Sequence, residues 1–113
     1  MRVERHGAAV ALLREAVLRG PGVTDAKLRA AVESHAARLS GRSEAGADAI
    51  PQDVAAFVEK VALHAWRIAD EDIAALRRAG WTEDAVFEIA ASAALGAGVG
   101  RLERGLAALR GEV

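Results

Sequence analysis

The 113-residue chain contains no cysteine. That absence removes disulfides, thiolate metal sites, iron–sulfur clusters and thiol nucleophiles together. Tyrosine is missing too, and two Phe and two Trp are the only aromatics, so the core has to be built from Ala, Leu, Val and Ile. Such small side chains suit closely packed helices. Neither sign of charge dominates: 15 Lys and Arg against 16 Asp and Glu give a net charge of -1. No basic field is available to attract a phosphate backbone, and nucleic acid is not expected as a partner. The opening Met1-Arg2-Val3-Glu4-Arg5-His6 leads into no apolar stretch long enough for a signal peptide or a membrane span. The expectation is a cytoplasmic protein that engages no membrane. Internal repeats and low-complexity tracts are also lacking.

What is present is helical periodicity. Apolar residues recur at three and four positions almost throughout, with no alternating β-branched run, and predict an all-α single domain over 1–113 with about six helices. An N-terminal helical hairpin is expected over 7–40. Its first helix, from about Gly7 to Arg19, carries Val10, Leu13, Val17 and Leu18 on one side and stops at Gly20-Pro21-Gly22; Thr24 is expected to cap the second. Residues 41–50, with Gly41, Ser43, Gly46 and Asp48, read as a mobile loop. The core is expected over 51–110. Pro51 suits the first turn of the third helix, which buries Val54, Phe57, Val58, Val61, Ala62 and Ala65 and ends near Arg67. Asp70 is expected to cap the short fourth helix, Gly80 to end it with Trp81 folding back on Leu76, and Thr82 to cap the fifth. That fifth helix, with Val86, Phe87, Ile89, Ala90, Ala93 and Ala94, is almost wholly apolar and is expected to be central or at an interface. Gly96-Ala97-Gly98-Val99-Gly100 is expected to break or bend the chain before a last helix with Leu102, Leu106 and Leu109 on one stripe.

Few residues carry a chemical signal. The three glycines are not a dinucleotide loop, because a helix rather than a strand precedes them; they read as small residues that let two helices or two subunits approach. His6, His35 and His64 have no partner at the i, i+4 spacing of a helical metal pair, so no metal and no cofactor are expected. His35 shares the stripe of Leu28, Ala31, Val32 and Leu39 and reads as a packed histidine. Asp53, Lys60, His64 and Arg67 share one helical face, which is either a cationic rim for an anion or a solvated face. Asp70, Glu71 and Asp72 are either an acid/base cluster or satisfiers of a helix start. Glu88, one turn before Ser92, must find a partner or shift its pKa among apolar neighbours, with Arg101 or His64 as the expected partner. Glu88, His64 and Asp72 are thus the catalytic candidates, and Lys60, Arg67 and Arg101 the ligand-binding candidates.

The stretch from His64 to Leu109 resembles the carboxymuconolactone decarboxylase and AhpD-like alkylhydroperoxidase superfamily. The cue is a short helix, then Ala79-Gly80, a Thr82-Glu83-Asp84 cap, and an Ala-rich helix that ends in small residues. The resemblance implies an AhpD-like helical bundle that assembles into homotrimers or hexamers, with sites near subunit interfaces. In the peroxidase branch a Cys-x-x-Cys pair precedes a histidine; counted back from Gly80, those positions hold Ala65, Ile68 and Asp72 here, with Asp53 near the family's upstream glutamate. Asp72 also stands where the decarboxylase branch keeps its histidine. The chain also resembles a subgroup of short AhpD-like proteins of unassigned function that lack cysteine. The resemblance therefore implies a homo-oligomeric binding or accessory protein without thiol peroxidase activity. The alternative is a cysteine-independent enzyme of the decarboxylase type, acting on a small anionic metabolite.

Overall fold

Local residues set most of the helix boundaries. The structure, a computed structural model, describes residues 7–42 and 50–111. The helices are α1 (Gly7–Arg19), α2 (Ala26–Leu39), α3 (Gln52–His64), α4 (Asp70–Arg78) and α5 (Glu83–Leu109), with a 3-10 turn at Ala65–Arg67 between α3 and α4. Among the described residues the regular structure is entirely helical.

Thr82 begins α5 as expected: its Oγ1 accepts from the Ala85 N–H at 3.1 Å, and Glu83 and Asp84 occupy the first turn, where the helix dipole favours them. Gly80 closes α4 with φ +105°, which allows the Trp81 N–H to reach Leu76 O at 3.1 Å and the Gly80 N–H to reach Arg77 O at 3.0 Å. These are the two bonds of a Schellman closure. Two expected caps are displaced. Asp25, not Thr24, caps α2, its Oδ1 accepting from the Lys27 N–H at 2.8 Å. Asp70 lies inside the first turn of α4, and Asp72 instead reaches back to the Ala69 N–H at 2.8 Å. The α-helical part of α3 ends at His64, so Ala65 falls in the 3-10 turn and is exposed rather than buried.

Five α-helices replace the expected six among the described residues, because the glycine run does not interrupt α5. The physical reason lies across the interface. A Cβ on Gly96 would collide with the Glu33 carbonyl of α2, and one on Gly100 with the Ala37 carbonyl. Ser92, Gly96 and Gly100, spaced by four, form a smooth buried ridge on which α2 lies at close range, running in the same direction. That contact is the most extensive in the molecule. Helix-breaking tendency of about 1 kcal/mol per glycine is outweighed by the packing it permits.

The other inward side of α5, with Val86, Ile89, Ala93 and Ala97, meets Val54, Phe57, Val58 and Ala62 of α3, Val32 and Ala36 of α2, and Leu76 of α4 in one core. By length and composition α5 could cross a membrane, but half of its most apolar window is packed inside the bundle, as for the core helix of a globular domain. Not all its apolar residues are covered: Phe87 is 73% exposed, and Ala94 is exposed too. Leu13 of α1, expected on the packed side, is also more than half exposed, and Leu18 is the one α1 residue in the core. Residues 43–49 of the expected loop lie outside the described residues.

Candidate functional site

Between α3 and α4 an open cleft of about 390 Å³ is lined by Asp53, Ala56, Phe57, Lys60, Asp72, Ala75 and Leu76. Asp53 and Lys60 share a face of α3 because they are two turns apart, and the first turn of α4 brings Asp72 against them. Lys60 Nζ donates to both Asp72 oxygens, at 2.9 and 3.0 Å. That bond, then the Ala69 N–H, holds the Asp72 carboxyl below the usual carboxylate range despite some desolvation. Across the mouth, Trp81 Nε1 donates to Asp53 Oδ2 at 2.9 Å. Asp72 is therefore a fixed, ionised capping group with its acceptors occupied, ill-suited to shuttle a proton. With two carboxylates to one ammonium, the lining does not attract an anion.

The remaining cations of that face do not converge on the cleft. His64 is exposed and makes an edge-to-face contact with Trp66, ring centroids 5.4 Å apart. Arg67, in the 3-10 turn, is also exposed. Arg101 donates to the Ala62 carbonyl, one of the carbonyls left over at the C-terminus of α3. It is a helix cap and not the partner of Glu88.

Glu88 lies elsewhere, at the α1–α2 corner. Its Oε2 accepts from the Val23 N–H at 2.7 Å, while its Oε1 accepts from the Thr24 N–H at 2.9 Å and from the Thr24 hydroxyl. Arg29 Nε lies 4.0 Å from Oε1, and the guanidinium is itself anchored to Val17 O at 2.9 Å. A Cβ on Gly22 would stand 2.7 Å from Oε1, so the glycine lets the carboxylate seat itself against the backbone. Desolvation pushes this carboxyl up, but the Thr24 hydroxyl, the Val23 and Thr24 N–H groups and Arg29 together outweigh it and hold it below the ordinary glutamate range. The expected pairing with Arg101 or His64, and the alternative of a raised pKa, are both replaced by a carboxylate clamp on an interhelical corner.

A second polar group was not anticipated from the sequence. Glu33, 1% exposed on α2, accepts from Arg14 Nε of α1 at 2.7 Å and lies 3.5 Å from Arg42, which makes two 3.0 Å bonds to Glu103 of α5. The available signal was the spacing of Arg29 and Glu33 by four on the helix face that also carries Ala36 and Ala37. Among the described residues, no group of three or more His, Asp or Glu side chains is arranged to hold a metal ion.

No protein-family model, curated protein or solved structure matches the chain.

Proposed function

We propose that the chain is an AhpD-like homo-oligomeric protein, cytoplasmic, with a binding or accessory role and no thiol peroxidase chemistry. A peroxide needs a nucleophilic thiolate, and no thiol is present. The polar candidates are engaged in holding helices together: Glu88 at the α1–α2 corner, Asp72 at the α4 start, Arg101 at the α3 end. None forms a free acid/base pair facing the α3–α4 cleft, which supports the accessory reading over the enzymatic one.

The observation that carries self-association is the outer side of α5. This helix is the centre of the bundle, yet Phe87, Leu102 and Leu109 are 73%, 44% and 69% exposed along it. Apolar surface of this kind, continuous along one helix, marks a surface used for association. A trimer, or a hexamer made of two trimers, is the assembly that the resemblance implies. Light scattering on the purified chain at micromolar concentration should give a multiple of 11.8 kDa, and a monomer mass under those conditions refutes the proposal.

A further inference from the structure

Helix α1 is lightly held for its length. Leu18 is its buried residue; Val10, Arg14 and Val17 are half-buried and the others are exposed, Leu12 and Leu13 included. Its polar anchors run to α2: Arg14 Nε donates to Glu33 at 2.7 Å, and the Val17 carbonyl accepts from Arg29 Nη1 at 2.9 Å. The corner that follows is fastened separately. Glu88 of α5 takes the Val23 and Thr24 N–H groups, so the chain from Val23 onward is tied to the core independently of α1. Between the two attachments lies Gly20-Pro21-Gly22, with Pro21 and Gly22 exposed, and a few such residues at the end of an element can absorb a rigid-body rotation.

The charges beneath α1 keep partners without it. Glu33 also lies 3.5 Å from Arg42, which is bonded to Glu103. Arg29, 5% exposed, lies 4.0 Å from Glu88 and donates to Thr24 O at 3.5 Å. Breaking a buried pair is severe where it strands a charge, and lifting α1 strands neither. Arg29 Nε is moreover buried without a hydrogen-bond partner, so water that reaches it when α1 lifts offsets part of what is broken.

From these features we infer that α1 is a lid: it swings away as one unit about Gly20-Pro21-Gly22 while α2 to α5 stay folded, with the Arg14–Glu33 pair as its catch, and it uncovers Arg29 and Glu33 to solvent. The closed chain has one apolar anchor and two polar ones to release, whereas opening α2 or α5 would dismantle the shared core. Elements with few buried apolar contacts form the first units to open in a native protein. The inference is independent of self-association.

Native-state hydrogen exchange followed by NMR tests it. The amides of Leu12–Arg19 should share one protection level, at least about a hundredfold below that of Ile89–Ala97. Protection that instead declines steadily toward Gly7 means fraying, and protection in α1 equal to that in α5 means global unfolding; either overturns the lid. Two variants separate the catch from the core. Arg14→Met keeps the aliphatic stem and removes the charge, and should speed exchange across Leu12–Arg19 about tenfold; no change removes the catch from the inference. Val58→Ala, in the α3 core, should speed exchange of Ile89–Ala97 at least tenfold and leave Leu12–Arg19 unchanged, because the open form still contains that core. Exchange in α1 that rises in step with α5 in Val58→Ala means that α1 opens only when the whole chain unfolds, and overturns the inference. Should Val58→Ala fail to fold, the same distinction is read from wild type in low urea, where exchange in α1 should depend on urea less steeply than exchange in α5; equal slopes overturn it.

Discussion

Replacing Glu88 by Gln tests the carboxylate clamp with almost no change of shape. The amide oxygen can keep the place of Oε1 and accept from the Thr24 N–H and hydroxyl. The amide nitrogen then takes the place of Oε2, where the Val23 N–H approaches at 2.7 Å, and two donors face each other. The attraction of Arg29 at 4.0 Å is lost as well. A hydrogen bond to a charged group contributes about 1.5–3 kcal/mol, and the site is 18% exposed, so one broken bond plus a lost partial ion pair should destabilise the fold by about 2–3 kcal/mol. For a domain of this size that lowers the melting temperature by roughly 6–15 °C.

The pH dependence has a definite sign. The Glu88 carboxyl is held below its ordinary value in the folded chain, so its contribution is complete above the unfolded-state value of about 4.5 and disappears as the pH falls through the lower folded-state value. Other carboxylates titrate alike in both proteins, and their effects cancel in the difference. Urea unfolding followed by circular dichroism at pH 7 and again near pH 3 should show the gap between wild type and Glu88→Gln closing with acid. His64→Ala is the control: an exposed residue whose removal should change stability by less than about 0.5 kcal/mol. A gap at pH 7 no larger than this control, or one that persists undiminished in acid, refutes the clamp.

Two further outcomes concern α2. Gly96→Ala should destabilise by about 1–3 kcal/mol in urea unfolding despite alanine's better helix propensity, because the new Cβ has only the backbone of Glu33 to displace; a neutral or stabilising effect would mean the helices are not in close contact there. Glu33→Gln should cost about 1–3 kcal/mol, since it removes the charge that Arg14 meets at 2.7 Å where the carboxylate is 1% exposed, while Arg42 keeps its two bonds to Glu103, and a loss under about 0.5 kcal/mol would show that the charge is not needed.

The sequence reads well wherever the deciding partners lie within one helical turn. The end of α1 at Arg19, the Gly80 closure and the Thr82 cap depend on residues no more than five apart, and all stand as expected. Thr24 and Asp25 are both competent cap residues, and proximity along the chain cannot rank them. What decides is Glu88, sixty-four residues on, which takes the Thr24 hydroxyl and leaves the capping bond to Asp25. The apolar neighbours of Glu88 show that it needs a partner, but not which one, because the donors are backbone N–H groups that exist as a pair only after α1 turns into α2. The same limit governs the glycines. A run of alternate glycines reads as a break when only local propensity is weighed, yet its members fall on opposite sides of a continuous helix. Gly96 and Gly100 are explained by the register of α2, which no local pattern encodes, while Gly98 and Gly105 face open space among the described residues. Local propensity argues for a break at the glycine run, and the close contact that Gly96 and Gly100 permit with α2 decides for a continuous helix, so the outcome depends on a partner about sixty residues away in the chain and not on the run itself.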